Sequence, residues 1–245
     1  ADGKTMLAGL SGGDLYISRN NGISWAVADI AVVDDDTHDE WEWFILSEDG
    51  TVIVARVNND CWISKDNGYN WKKSELEYVE ELSMSSDGVK ITAAAYHNDS
   101  RSIYTSEDSG DTWSKRKDFT DSVGFNSGVS SSDGSVQAVI TTLSVDNYIY
   151  NHIYISTDNG VTWNEKKPVD KRYWRKIFIS PDGTEIIAVN DNEIYIGQYQ
   201  DFYNDVEMGT YLQLPESEAK FTKNEKYLIN NFKFGYNKFE QDRDE

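Results

Sequence analysis

Cysteine, proline and histidine are scarce in these 245 residues: one, three and three respectively. A single thiol, Cys61, excludes an internal disulfide framework and any multi-cysteine metal site. So few prolines, with no long Gly/Ser tract, leave no linker to set off a second domain. No apolar run approaches the roughly 20 residues of a membrane-crossing helix. No signal peptide is legible, and Ala1 is compatible with a residue left after one was removed. Positive charge is also short, with 23 Lys and Arg against 43 Asp and Glu, a net −20. That balance argues against nucleic acid, whose phosphates need clustered Lys and Arg, and against an anionic membrane surface. Hydrophobic residues at 38% and aromatics at 13% nevertheless suffice for a packed core, unlike a disordered acidic chain.

Self-similarity is the strongest signal present. Four segments share one spelling: Ile17–Trp25, Ile63–Trp71, Thr105–Trp113 and Ile155–Trp163. Their serines, Ser18, Ser64, Ser106 and Ser156, are spaced 46, 42 and 50 residues apart. A second signal, Ser-x-Asp-Gly before an apolar run, interleaves at Ser47–Gly50, Ser85–Gly88, Ser131–Gly134 and Ser180–Gly183, with Asp2-Gly3 as a front-cut copy. Ile194-Tyr-Ile-Gly matches Leu15-Tyr-Ile-Ser with its serine lost, and Phe221–Asn230 is a worn sixth copy.

The unit Trp43–Trp71 reads as four short strands (a to d) punctuated by Gly, Asn and Asp, an antiparallel meander. A period in the mid-forties with four strands is the spelling of a β-propeller blade. The expected fold is therefore all-β, a propeller of four-stranded antiparallel blades, five in number with six as the alternative. Strand counting gives a first unit without its innermost strand, four full units and a last unit stopping at its third strand. A strand near Ser217–Thr222 would fill the first blade. The expected domain spans 1–223, followed by a degenerate repeat and acidic tail at 224–245. In each box, Ser and Asp are expected to bond the turn backbone, the glycine to take positive φ, and the tryptophan to anchor neighbouring blades. The scaffold residues are Ser18, Gly22, Trp25, Ser64, Asp66, Gly68, Trp71, Ser106, Asp108, Gly110, Trp113, Ser156, Asp158, Gly160 and Trp163.

The spelling Ser-x-Asp-x-Gly-x-Thr-Trp resembles the Asp-box, or bacterial neuraminidase repeat, of sialidase-like propellers. The likeness covers about residues 1–200. It implies the propeller fold, and it admits both glycoside hydrolases and pure binders. Sialidases of this resemblance carry an Arg-Ile-Pro segment, an arginine triad and a Tyr–Glu pair. Here no Arg precedes Ile, and Pro168, Pro181 and Pro215 follow Lys, Ser and Leu.

Strand alternation puts the a–b and box turns on one face and the b–c and d–a connections on the other. Function is expected on the second face, in longer and more variable loops. The candidate ligand-binding residues there are Tyr96, His97, Arg101, Tyr148, Tyr150, His152, Arg172, Tyr173 and Trp174. Arginine forks suit acidic groups and aromatic faces suit sugars. The three histidines, His38, His97 and His152, show no metal-ligand spacing. An acidic loop, Asp34–Asp36 with Asp39 and Glu40, lacks the spacing of a calcium loop. No metal, cofactor or catalytic residue is expected. The functional expectation is a non-catalytic propeller presenting loops to a glycan or protein partner, extracellular or surface-associated, virion surfaces included. The alternatives are a sialidase-like glycoside hydrolase and a structural component of a surface layer or viral particle.

Overall fold

In the computed structural model the described residues are 3–9, 14–28, 30, 41–57, 60–119, 123–145, 148–166, 174–190, 193–198 and 212–213. All their regular structure is strand. The first sheet has three strands, β1 (Met6–Gly9), β2 (Leu15–Ser18) and β3 (Ala26–Val27). The second is β4 (Trp41–Leu46), β5 (Ile53–Val57), β6 (Asp60–Ser64) and β7 (Lys72–Glu77). The third is β8 (Val79–Met84), β9 (Ile91–His97), β10 (Ser100–Ser106) and β11 (Ser114–Phe119). The fourth is β12 (Val123–Ser130), β13 (Gln137–Val145), β14 (Tyr148–Ser156) and β15 (Asn164–Lys166). The fifth is β16 (Lys176–Ile179), β17 (Glu185–Val189), β18 (Glu193–Gln198) and β19 (Leu212–Gln213). Within each sheet the strands follow chain order, so every blade is a meander. The fold is an all-β propeller of antiparallel blades.

One expectation is corrected. The unit containing Asp182 was to stop at its third strand, yet β19 supplies a fourth. The chain divides into a compact unit Ala1–Leu212 and the remainder Gln213–Glu245. The expected boundary at 223, the closing strand near Ser217–Thr222 and the worn sixth repeat fall outside the described residues.

Both turn families hold themselves together. In Ser47–Gly50 the Ser47 Oγ donates to Asp49 Oδ1 at 2.7 Å and accepts from Val52 N at 3.0 Å. In the second box Ser64 Oγ donates to Asp66 Oδ1 (2.8 Å) and accepts from Gly68 N (2.8 Å). Asp66 also receives Asn70 N and Asn70 Nδ2 at 2.8 and 2.6 Å. The residue before each box glycine is left-handed too, at φ 59, 58, 58 and 60° for Asn21, Asn67, Ser109 and Asn159. Its N–H donates to the b-strand entry of the same blade, as Asn67 N does to Thr51 O (3.0 Å). That bond ties the box turn to the a–b turn and puts both on one face, as strand alternation requires.

Glycine serves a second purpose between blades. A Cβ on Gly110 would lie 2.2 Å from Ile63 Cδ1, and one on Gly160 would lie 2.5 Å from Thr105 Cγ2. Each side chain belongs to strand c of the preceding blade, so the box turn is pressed onto its neighbour. Backbone bonds add a belt across the a–b turns: Glu48 N to Ser86 O (2.7 Å), Ser86 N to Ser132 O (2.7 Å) and Ser132 N to Pro181 O (2.9 Å). Proline has no N–H to pass the belt further. The core is divided into slabs between sheets. One joins Val54, Cys61 and Ile63 to Leu82, Ile91 and Tyr104, and another joins Ile140 and Ile153 to Ile177 and Ile186.

The box tryptophans depart from their expected burial. Trp163 is 9% exposed and Trp25 is 43% exposed, while Trp71 and Trp113 are intermediate. Trp163 packs on Ala94 and Ile103 of the third blade. Trp25 belongs to the first sheet and joins no buried cluster of the described residues.

Candidate functional site

The b–c connections are not long loops. Tyr96 and His97 close β9, Arg101 opens near the start of β10, and only Asn98 and Asp99 join the two strands. Their φ angles of 50 and 57° are those of a tight two-residue hairpin. β13 and β14 are likewise paired up to Val145 and Tyr148. Tyr148, Tyr150 and His152 therefore stand on a strand. The d–a link from β7 to β8 is shorter still: it is Tyr78 alone, at φ 45° and 48% exposed.

On the third blade Arg101, Tyr96 and His97 do come together. The Arg101 guanidinium sits 5.8 Å from the Tyr96 ring centroid and donates through Nη1 to Glu80 Oε1. Glu80 Oε2 in turn accepts Phe125 N from the fourth blade at 2.9 Å. Arg101 is thus a member of an interblade clamp. His97 Nδ1 lies 4.0 Å from Glu77, and its ring meets Tyr104 edge-on at 5.9 Å. The Tyr78 and Tyr96 rings are edge-to-face at 6.2 Å.

On the fourth blade His152 Nδ1 is 2.5 Å from Glu165 Oε1, an ion pair when the imidazole is protonated. Glu165 is also hydrogen-bonded to Tyr154, whose hydroxyl is pushed up to about 12 by burial, with the Glu165 charge assisting. The Tyr154 ring meets Phe119 edge-on at 5.0 Å, and Lys117 Nζ lies 4.9 Å from its centroid. Aromatics here finish a blade interface.

Trp174 is corrected outright. It is 0% exposed and packs with Ile140, Ile153 and Ile177. Its carbonyl accepts Asn126 Nδ2 (3.1 Å) and Asn151 Nδ2 (2.9 Å). Its ring is a core anchor and presents no face to a ligand. Arg172, Tyr173, His38, Asp34–Asp36, Asp39 and Glu40 fall outside the described residues, as do the side chains of Tyr148 and Tyr150. Among the described residues no group of three His, Cys, Asp or Glu side chains is arranged to hold a metal ion. Cys61 is buried, and desolvation pushes its thiol up to about 12, so it is inert.

Sequence reasoning missed two features. Tyr78 is one, because the run Glu75–Glu81 reads as a loop when in fact β7 and β8 abut across one residue. The available signal was the absence of any Gly, Pro, Asn or Asp between Lys72 and Met84 to punctuate a loop. The other is a pocket of about 250 Å³ beside the box turns of the second and third blades, bordered by Lys65, Trp71, Lys72, Lys73 and Asp111. It lies on the face that strand alternation had set aside.

With this geometry the protein is an Asp-box β-propeller. Residues 154–165 match the BNR/Asp-box repeat. No curated protein sequence matches the chain significantly. Among solved structures it is similar to the GH74 enzyme of Niastella koreensis, with a TM-score of 0.59 and 14% identity, covering 79% of this chain and 34% of that one. It is also similar to YCF48 from Cyanidioschyzon merolae, with a TM-score of 0.61 and 14% identity, covering 87% and 69%. YCF48 bound to D1 peptide gives a TM-score of 0.57 and 15% identity, covering 86% and 66%. The chain thus spans about a third of the length of the GH74 enzyme. Likeness at this identity defines the fold.

Proposed function

We propose that this chain is a non-catalytic interaction propeller that receives a protein segment on the rim of its third blade, around Tyr78, Tyr96 and Arg101. The observation that carries the reading is Tyr78: a bulky residue in left-handed conformation, forming a whole interstrand link by itself, with its ring half in solvent. Such strain, of order 1–3 kcal/mol, concentrates where surroundings over-determine a residue and function uses it. Tyrosine and arginine are also the side chains that dominate interface hot spots. The similar propeller YCF48 has been solved with a peptide bound.

A glycan on this rim has less to hold it, because Trp174 is core and Arg101 is engaged by Glu80. The hydrolase reading would rest on Tyr154 with Glu165, yet burial raises that phenol instead of readying it as a nucleophile. An extracellular or surface setting and a five-bladed ring belong to the same proposal.

The test is selection of displayed peptides on the parent, followed by titration against Tyr78→Gly and Arg101→Gln. Glycine relieves the left-handed strain, so Tyr78→Gly should fold normally while binding falls at least tenfold. Selected peptides that bind both variants as well as the parent would overturn the reading, as would turnover of fluorogenic glycosides.

A further inference from the structure

We infer that the pocket between the second and third Asp boxes is a binding site for a single anionic sugar ring, of the hexuronate type. This goes beyond the rim proposal and uses the opposite face.

Comparing the boxes with one another shows what is special there. The residue after the box serine is Arg19, Lys65, Glu107 and Thr157 in order along the chain. The two residues after the box tryptophan are Ala26-Val27, Lys72-Lys73, Ser114-Lys115 and Asn164-Glu165. The box serine and the Asp or Asn two residues on keep nearly one spelling because they make the same turn bonds in all four boxes. The positions around them are free to differ, and only the second box gathers three lysines. They face a chain of net charge −20. Three lysines line the pocket with Asp66 and Asp111, a cluster of cations where the chain as a whole is strongly negative.

The geometry gives those cations a shared target. Lys65 Nζ donates to Asp111 Oδ2 at 2.5 Å and to Asp108 O at 2.6 Å. Lys72 Nζ approaches the other oxygen of Asp111 at 3.6 Å, with 73% of its side chain exposed. Two ammonium groups thus converge on one resident carboxylate, and Lys72 is held loosely enough to turn to a second. Lys73 is drawn to Asp60 at 2.6 Å. Trp71 supplies the aromatic wall, its ring fixed by donation from Nε1 to Gly68 O at 3.1 Å. A rigid indole beside a point cation suits a ring with a flat C–H face and a carboxylate. The volume of about 250 Å³ falls below the roughly 300–1,000 Å³ of drug-sized sites, so one pyranose is the fitting occupant.

The experiment follows amide and indole resonances during titration with sodium glucuronate, glucose and sodium acetate. Glucuronate should produce saturable shifts confined to Asn70, Trp71, Lys72 and Asp111. Glucose should bind at least fivefold more weakly, and acetate should give no saturation. Lys72→Gln, on an exposed side chain, should weaken glucuronate at least fivefold. Asp111→Asn removes the resident competitor and should tighten it. Equal shifts from acetate would mean a bare anion site and overturn the inference. So would glucuronate binding that is indifferent to both substitutions, shifts confined to the rim of the third blade, or no saturable shift at all. Loss of peptide binding at Tyr78 leaves every one of these readings intact, so the two proposals fail separately.

Discussion

The four box tryptophans form a substitution series already written into one chain. Trp25 and Trp163 occupy the same box position and make the same indole bond, to Gly22 O at 3.2 Å and Gly160 O at 2.9 Å. They differ in what lies behind them. Trp163 is 9% exposed against the third blade, whereas Trp25 is 43% exposed. A buried tryptophan removes roughly 150–250 Å² from water, which at about 25 cal/mol per Å² is about 4–6 kcal/mol. Residual burial in the unfolded chain lowers that figure, so Trp163→Ala should cost about 3–5 kcal/mol, in line with large core truncations. At about 2–4 °C per kcal/mol for a chain of this size, its Tm should fall by roughly 6–20 °C. Trp25→Ala should lose only about 2–3 kcal/mol, because nearly half of its area is already wet. Trp113→Ala, on a partly buried ring packed against the slab around Ile63, should fall between them. Calorimetry or circular dichroism melts of the three variants give the ranking. If Trp25→Ala costs as much as Trp163→Ala, blade-on-blade packing is not what the tryptophan contributes. A Trp113→Ala variant that melts within a degree of the parent would refute the blade assignment itself.

Acid should loosen the turns before the core. Hydrogen bonds from Asn70 hold Asp66 to about 2, and those from Ser135 hold Asp133 to about 2, both below the ordinary unfolded carboxylate near 3.9. The unfolded chain therefore binds more protons in that interval, so this stability is complete above about pH 4 and drains away as pH falls towards 2. The Tm should drop through that window, and Asp66→Asn should flatten the drop, as Asn20 already serves in the first box. Gly160→Ala should be far more costly than Gly22→Ala in chemical denaturation. Both glycines have positive φ, but only at Gly160 would the new Cβ meet side-chain atoms at 2.5 and 2.6 Å. Secretion from a eukaryotic host should add a glycan at the exposed sequon Asn98-Asp99-Ser100, seen as a mass shift that Ser100→Ala abolishes.

What the sequence by itself determined was everything held within a few residues. Ser64, Asp66, Gly68 and Asn70 bond one another across no more than five positions, so their spelling is their geometry. Four repeats of that spelling, interleaved with Ser-x-Asp-Gly, were enough for the strands, the two turn families and the propeller. What lies between blades needed the tertiary structure. Trp174 reads as a surface aromatic beside Arg172 and Tyr173, and only the packing of the fourth sheet against the fifth buries it. Arg101 reads as a free cation until β8 brings Glu80 to it from 21 residues away. Trp25 and Trp163 are spelled alike, yet Trp163 packs on Ala94 and Ile103 of the third blade while Trp25 joins no buried cluster of the described residues. Nothing in the sequence links Lys65 and Lys72 to Asp111, some forty residues on, and the third box turn carries that carboxylate to them. A local hydrogen bond depends on neighbours in the chain, whereas burial and charge pairing depend on which blade stands next.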